Sequence, residues 1–67
     1  MKLTDRDLVV LGYINDGSEV AGIYHNQVKK LEKGLLIHDV SKRKDKGLII
    51  FSAKTTICGV NVLKKSK

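Results

Sequence analysis

Two groups of side chains in this 67-residue chain could do chemistry on an anionic partner. The first is Asn26, Lys29, Lys30 and Lys33, with His25 on their flank. Steps of three and four place them on the polar side of a helix. Asn can pair with an adenine edge and Lys with guanine or phosphate, in a major groove wide enough to admit a helix. The second group is Lys42, Arg43, Lys44 and Lys46, in the hydrophilic stretch 41–47. Cations of that kind reach phosphates. Each phosphate neutralised releases counterions and adds about 0.9 to the salt slope without reading sequence. The plainer readings are a solvated helix face, which every amphipathic helix has, and a solubilising turn. For His25 the plainer reading is a packing or rim residue.

Charge favours the functional readings. The formal net charge is +6, unevenly spread: residues 1–24 carry −2, residues 25–54 carry +5 and residues 55–67 carry +3. An acidic first third joined to a basic remainder is the footprint expected of a nucleic-acid binder, although an anionic membrane surface or an acidic protein would also suit it. Tyr13, Tyr24 and Phe51 are the only aromatics, two of them expected in the core, which argues against stacking single-stranded bases.

Catalysis finds little support. His38 and Asp39 are neighbours in an extended segment, so they are expected on opposite faces, unable to act as a dyad. Cys58 has no second cysteine and reads as a small apolar packing residue. His25 and His38 lack a second ligand pair, and no glycine-rich phosphate loop is present. The expectation is no enzyme, no metal and no cofactor. A single cysteine, an N-terminus without an apolar leader and apolar runs of only four residues point to a soluble, cytoplasmic protein with no membrane partner.

About a third of the residues are Leu, Ile, Val or Phe, enough to fold as one domain over residues 1–67. A chain this short buries only about 60% of its unfolded surface, so a partner subunit would help. Thr4 and Asp7 match a capping box ahead of a buried helix over residues 5–14, ended by Asn15-Asp16-Gly17. Ser18 is placed to cap a second helix, in which Val20, Tyr24, Val28, Leu31 and Leu35 form one stripe. Gly22 costs about 1 kcal/mol in a helix, so its start falls near Ile23, and Gly34 is the expected left-handed cap. Strands are expected at Leu35–Val40 and Leu48–Ala53 around the tip Ser41–Gly47. Residues 57–63 have helical spacing but strand-favouring types, with Thr56 available as a cap, and residues 64–67 are expected to fray.

The order helix, helix, Gly, strand, basic tip, strand resembles winged helix-turn-helix regulators, notably the multiple-antibiotic-resistance repressor type. Leu3-Thr4-Asp5-Arg6-Asp7-Leu8-Val9-Val10-Leu11 looks like their opening helix. Val28-Lys29-Lys30-Leu31-Glu32-Lys33-Gly34-Leu35-Leu36 is similar to the end of their recognition helix, and Ser41–Gly47 to a wing tip. Thr56-Ile57-Cys58-Gly59 resembles the start of the helix after the wing, which tips residues 57–63 toward helix. One feature departs from the pattern. Residues 15–21 are too few to hold the helix and turn that the family places before its recognition helix.

The resemblance implies an α+β fold: a small winged helix-turn-helix, its helices packed on a two-stranded β-hairpin wing. It also implies sequence-specific binding of double-stranded DNA by a small transcriptional regulator acting as a homodimer. Helix 23–33 would enter a major groove, the 41–47 tip would touch adjacent backbone, and Val9, Tyr13, Val60, Val62 or Leu63 would supply the dimer contact. The alternatives are a module of the same fold binding an acidic protein partner, such as a phage or plasmid regulatory factor, and an RNA-binding module.

Overall fold

The first helix begins where two side chains and two backbone amides satisfy each other. In the computed structural model, which describes residues 2–65, α1 (Asp5–Asn15) follows Thr4. The Thr4 hydroxyl accepts from the Asp7 amide at 3.2 Å, and the Asp7 carboxylate accepts from the Thr4 amide at 2.8 Å. This is the capping box expected from the sequence. Asp7, Val10, Leu11 and Ile14 form the buried face of α1. The helix closes when the Ser18 amide bonds back to the Tyr13 carbonyl at 2.9 Å, with Gly17 left-handed at φ 82°.

Beyond Gly17 the chain departs from the expected helix. Val20–Ala21 is a short strand, β1, followed by a 3-10 turn at Gly22–Tyr24, and α2 occupies only His25–Lys33. Val20 pairs with Phe51 and Ala21 with Ile50, so a strand distant in sequence captures these residues. A helical stripe that counts Val20 with Val28 and Leu31 therefore mixes two elements. Gly22 lies against Ile49, where an added Cβ would stand 2.9 Å from the Ile49 carbonyl oxygen.

Gly34 is not the left-handed cap. It has φ −82°, and Leu35 takes the left-handed position at φ 62°. The amides of Leu35 and Leu36 bond to the carbonyls of Glu32 and Leu31, both at 3.0 Å, which fixes the reversal one residue later than expected. Leu35 is consequently exposed, outside both the α2 stripe and the following strand.

β2 (Ile37–Asp45) and β3 (Leu48–Thr55) are longer than the sequence suggested. Only Lys46 and Gly47 form the turn, with φ 52° and 83°. Two consecutive positive φ values match the twist of the flanking strands, which lets pairing run to Asp45 and Leu48. Ser41–Asp45 is thus strand rather than loose tip. The sheet has three antiparallel strands in the order β1-β3-β2, instead of the expected two-stranded hairpin. A bulge between His38 and Ser41 interrupts its register. Asp39 sits there at φ 54°, and the broken alternation brings its carboxylate to 3.4 Å from His38 Nδ1, so these two side chains do meet.

The last element, α3 (Ile57–Lys65), is helical. Thr56 caps it, accepting from the Gly59 amide at 3.1 Å and donating to the Leu35 carbonyl at 2.7 Å. Lys64 and Lys65 close α3 rather than fray, and residues 66–67 lie outside the described residues. Cys58 is exposed rather than packed. Val62 and Leu63, two of the residues assigned to a dimer contact, pack instead against the protein's own core. Val60 is half-buried, whereas Val9 and Tyr13 stay exposed.

The fold is α+β, three helices with a three-stranded antiparallel sheet. Its core is Val10, Leu11, Ile14, Val20, Val28, Leu31, Leu36, Ile37 and Phe51. Among the described residues no helix is long and apolar enough to cross a membrane.

Two substitutions test this account in opposite directions. Leu35→Gly, which relieves a left-handed Leu without emptying the core, is expected to stabilise by about 0.5–1 kcal/mol in urea unfolding. Gly59→Ala drives a methyl into the Leu36 carbonyl, where α3 crosses the start of β2, and is expected to destabilise by about 1–3 kcal/mol.

Candidate nucleic-acid interface

Helix α2 divides its polar residues between a crest and two flanks. Val28 and Leu31 are buried; at 100° per residue Asn26 and Lys33 stand opposite them with Lys29 and Lys30 to either side, and Asn26, Lys29 and Lys33 are exposed whereas Lys30 is half-buried. Glu32, also exposed, adds an acid to this surface that the sequence reading left out. His25 and Lys30 lie on opposite flanks, and each is turned toward a neighbouring element.

Lys30 faces α1. Its Nζ donates to Asp7 Oδ2 at 2.7 Å, and the Asp7 residue is only 2% exposed. Burial pushes the Asp7 carboxyl up. The hydrogen bonds from Lys30 and from Thr4 outweigh it, so the carboxyl sits below its ordinary value of 3.8. Lys30 is therefore a structural cation holding α2 to α1, and the site loses it. The sequence carried one signal of this: Asp7 lies three and four residues before Val10 and Leu11, on the face of α1 that must be buried.

His25 faces the sheet. Its ring lies 5.9 Å from that of Phe51, tilted by 34°. Lys42 stands directly opposite Phe51 across β2 and β3, and Lys44 opposite Ile49. Residues so paired project from the same face, and here it is the face that meets the helices, because Phe51 is buried and Ile49 packs on the core. His25 and Lys42 thus flank one phenyl ring. Lys42 and Lys44 therefore stand on the side of the sheet that carries α2, and Lys46 lies in the turn beyond them.

Arg43 points the other way. It pairs with Ile50, as Ala21 does from the opposite edge, so it projects from the outer face. There it reaches across β3 to Glu19, with Nε and Nη2 donating to the two carboxylate oxygens at 2.9 and 2.8 Å. Asp45 lies 3.7 Å from its Nη1. The bidentate bond lowers the Glu19 carboxyl and raises the Arg43 guanidinium relative to their ordinary values. Arg43 straps β1 to β2, and the geometry separates it from Lys42 and Lys44. Strand alternation would have predicted that split had Ser41–Asp45 been recognised as strand.

Of the nine residues assigned from sequence, His25, Asn26, Lys29 and Lys33 lie on α2, Lys42 and Lys44 project from the sheet face that carries it, and Lys46 lies in the turn. The structure diverts Lys30 and Arg43 to intramolecular carboxylates. Among the described residues no three His, Cys, Asp or Glu side chains are grouped so as to hold a metal ion. No family model, curated protein or solved structure matches this chain.

The Asp7 assignment has a pH signature. A carboxyl lowered in the folded state stabilises the fold above its unfolded value, here near 3.8, and that contribution disappears as pH falls through the folded value. Asp7→Asn is expected to cost about 1–3 kcal/mol at pH 7. The gap from wild type should narrow below pH 3.8, as followed by urea unfolding across a pH series.

Proposed function

We propose that this chain binds double-stranded DNA as a small winged-helix-type regulator. The observation that carries the proposal is that Lys42 and Lys44 project from the sheet face on which α2 packs, where His25 meets Phe51, while Asn26, Lys29 and Lys33 of α2 stay exposed. In this reading the crest of α2 lies in a major groove, with Asn26 and Lys29 directed at base edges. Lys42, Lys44 and Lys46 follow the adjacent phosphates along the hairpin. The salt dependence comes from these cations and excludes Lys30 and Arg43, whose partners are internal.

A second reading, a module for an acidic protein, is favoured by one feature. A strand and a single 3-10 turn stand before α2 where a helix-turn-helix would place a helix. A protein-binding module has no need of groove docking and so no need of that helix.

Fluorescence-anisotropy titration of a mixed-sequence duplex at several salt concentrations separates the two. The DNA reading predicts micromolar binding with a steep salt slope. Replacing Lys29 and Lys33 by Ala, or Lys42 and Lys44 by Ala, should weaken binding and lower the slope by about 1–2. Arg43→Gln should leave both nearly unchanged. Absence of binding at low salt, or an Arg43→Gln loss equal to that of either lysine pair, contradicts the proposal. Duplex RNA competing as well as DNA would assign the surface to RNA.

A further inference from the structure

The hairpin holds its register with little help from apolar packing. Beyond Val40, residues 41–45 of β2 are Ser, Lys, Arg, Lys and Asp, and all of them are exposed. A strand polar on both faces specifies its register weakly, and a slip of one residue sends every side chain to the opposite face. Two backbone features mark the register that is adopted. Between the pairs His38–Lys54 and Ser41–Ser52, Asp39 and Val40 stand where β3 offers only Ala53, and Asp39 is left-handed at φ 54°. In the turn Lys46 is left-handed as well, at φ 52°. Both are uncommon conformations for a residue with a Cβ.

A second register removes both. If the pairing of His38 with Lys54 continued without the bulge, Val40 would stand opposite Ser52, Lys42 opposite Ile50 and Lys44 opposite Leu48. The loop would then be Asp45-Lys46-Gly47, a three-residue connection whose usual form is a type I turn ending in one left-handed residue. Gly47 is already left-handed at φ 83°, so the same residues serve either loop. Two contacts oppose the slip. Val40 packs on the core and would turn outward, while Asp39 would turn inward beside Ala53. Arg43 would cross to the helix side, opposite Ile49, and lose its bidentate bond to Glu19.

We propose that β2 exchanges between these two registers, with the Arg43–Glu19 pair as the latch on the one described above. In the second register Arg43 takes the helix side of the sheet, and Lys42 and Lys44 leave it. The consequence for DNA rests on the reading under Proposed function: the duplex-facing side of the hairpin trades two lysines for one arginine. Val40 keeps the second register a minority of at most about 10% even when the latch is broken, so substituting Arg43 alters duplex affinity little.

Relaxation-dispersion NMR on the full chain without nucleic acid tests the exchange independently of the DNA reading. Exchange should be confined to residues 38–50, and Glu19→Gln should raise the minor population about two- to fivefold over wild type. A double variant, Asp39→Val with Val40→Asp, puts the apolar side chain where the second register faces the core. It should make that register the major one, with cross-strand NOEs joining Lys42 to Ile50 instead of Phe51. If the double variant fails to fold, the Glu19→Gln comparison carries the test. Flat dispersion profiles in both wild type and Glu19→Gln overturn the proposal. So do minor-state shifts of an unfolded chain, or a folded double variant that keeps Lys42 opposite Phe51.

Discussion

The carboxylate of Asp7 holds the arrangement together. It is buried, it caps α1 through the Thr4 amide, and it accepts from Lys30 of α2. A buried charge with fewer partners would be costly, so the packing of α2 on α1 is tied to that contact in a way that apolar packing alone would not require. With nine apolar side chains in the core among the described residues, one polar node contributes to the orientation of α2. That orientation decides which lysines face outward. Lys30 is spent on the fold, and Asn26, Lys29 and Lys33 are turned to solvent as a consequence.

The sheet applies a second sorting to the hairpin. Alternation sends Lys42 and Lys44 to the helix side and Arg43 to the outer side, where Glu19 receives it across β3. Since Glu19 immediately precedes β1, the same ion pair holds that two-residue strand in place beside the long hairpin. β1 in turn shapes the approach of the chain to α2. Surface charge and sheet order are therefore coupled outcomes of two carboxylate contacts, one buried and one exposed.

What was legible in the sequence was local. The capping box at Thr4, the turn after α1 at Asn15-Asp16-Gly17, the existence of a hairpin in the second half and the Thr56 cap depend on residues within a few positions of each other, and each appears in the structure. What was not legible depends on distant partners. Val20 reads as helical until Phe51 pairs with it, 31 positions away in the chain. Lys30 and Arg43 look free until carboxylates 23 and 24 residues distant take them. Leu35 could not be identified as the left-handed residue, because Gly34 is the better candidate by type and the choice is made by the carbonyls of Leu31 and Glu32. The division of the basic residues into structural and outward-facing cations required the register and the ion-pair partners.

The central claim is that one face, rather than the net charge as a whole, meets the duplex. Chemical-shift mapping of the isotope-labelled protein against a short mixed-sequence duplex tests it most directly. The account predicts that perturbed amides cluster at Asn26, Lys29, Lys33, Lys42, Lys44 and Lys46, leaving Arg43, Ser52 and Lys54 of the outer face unmoved. Shifts spread evenly over both faces of the sheet, or centred on the outer face, would contradict it.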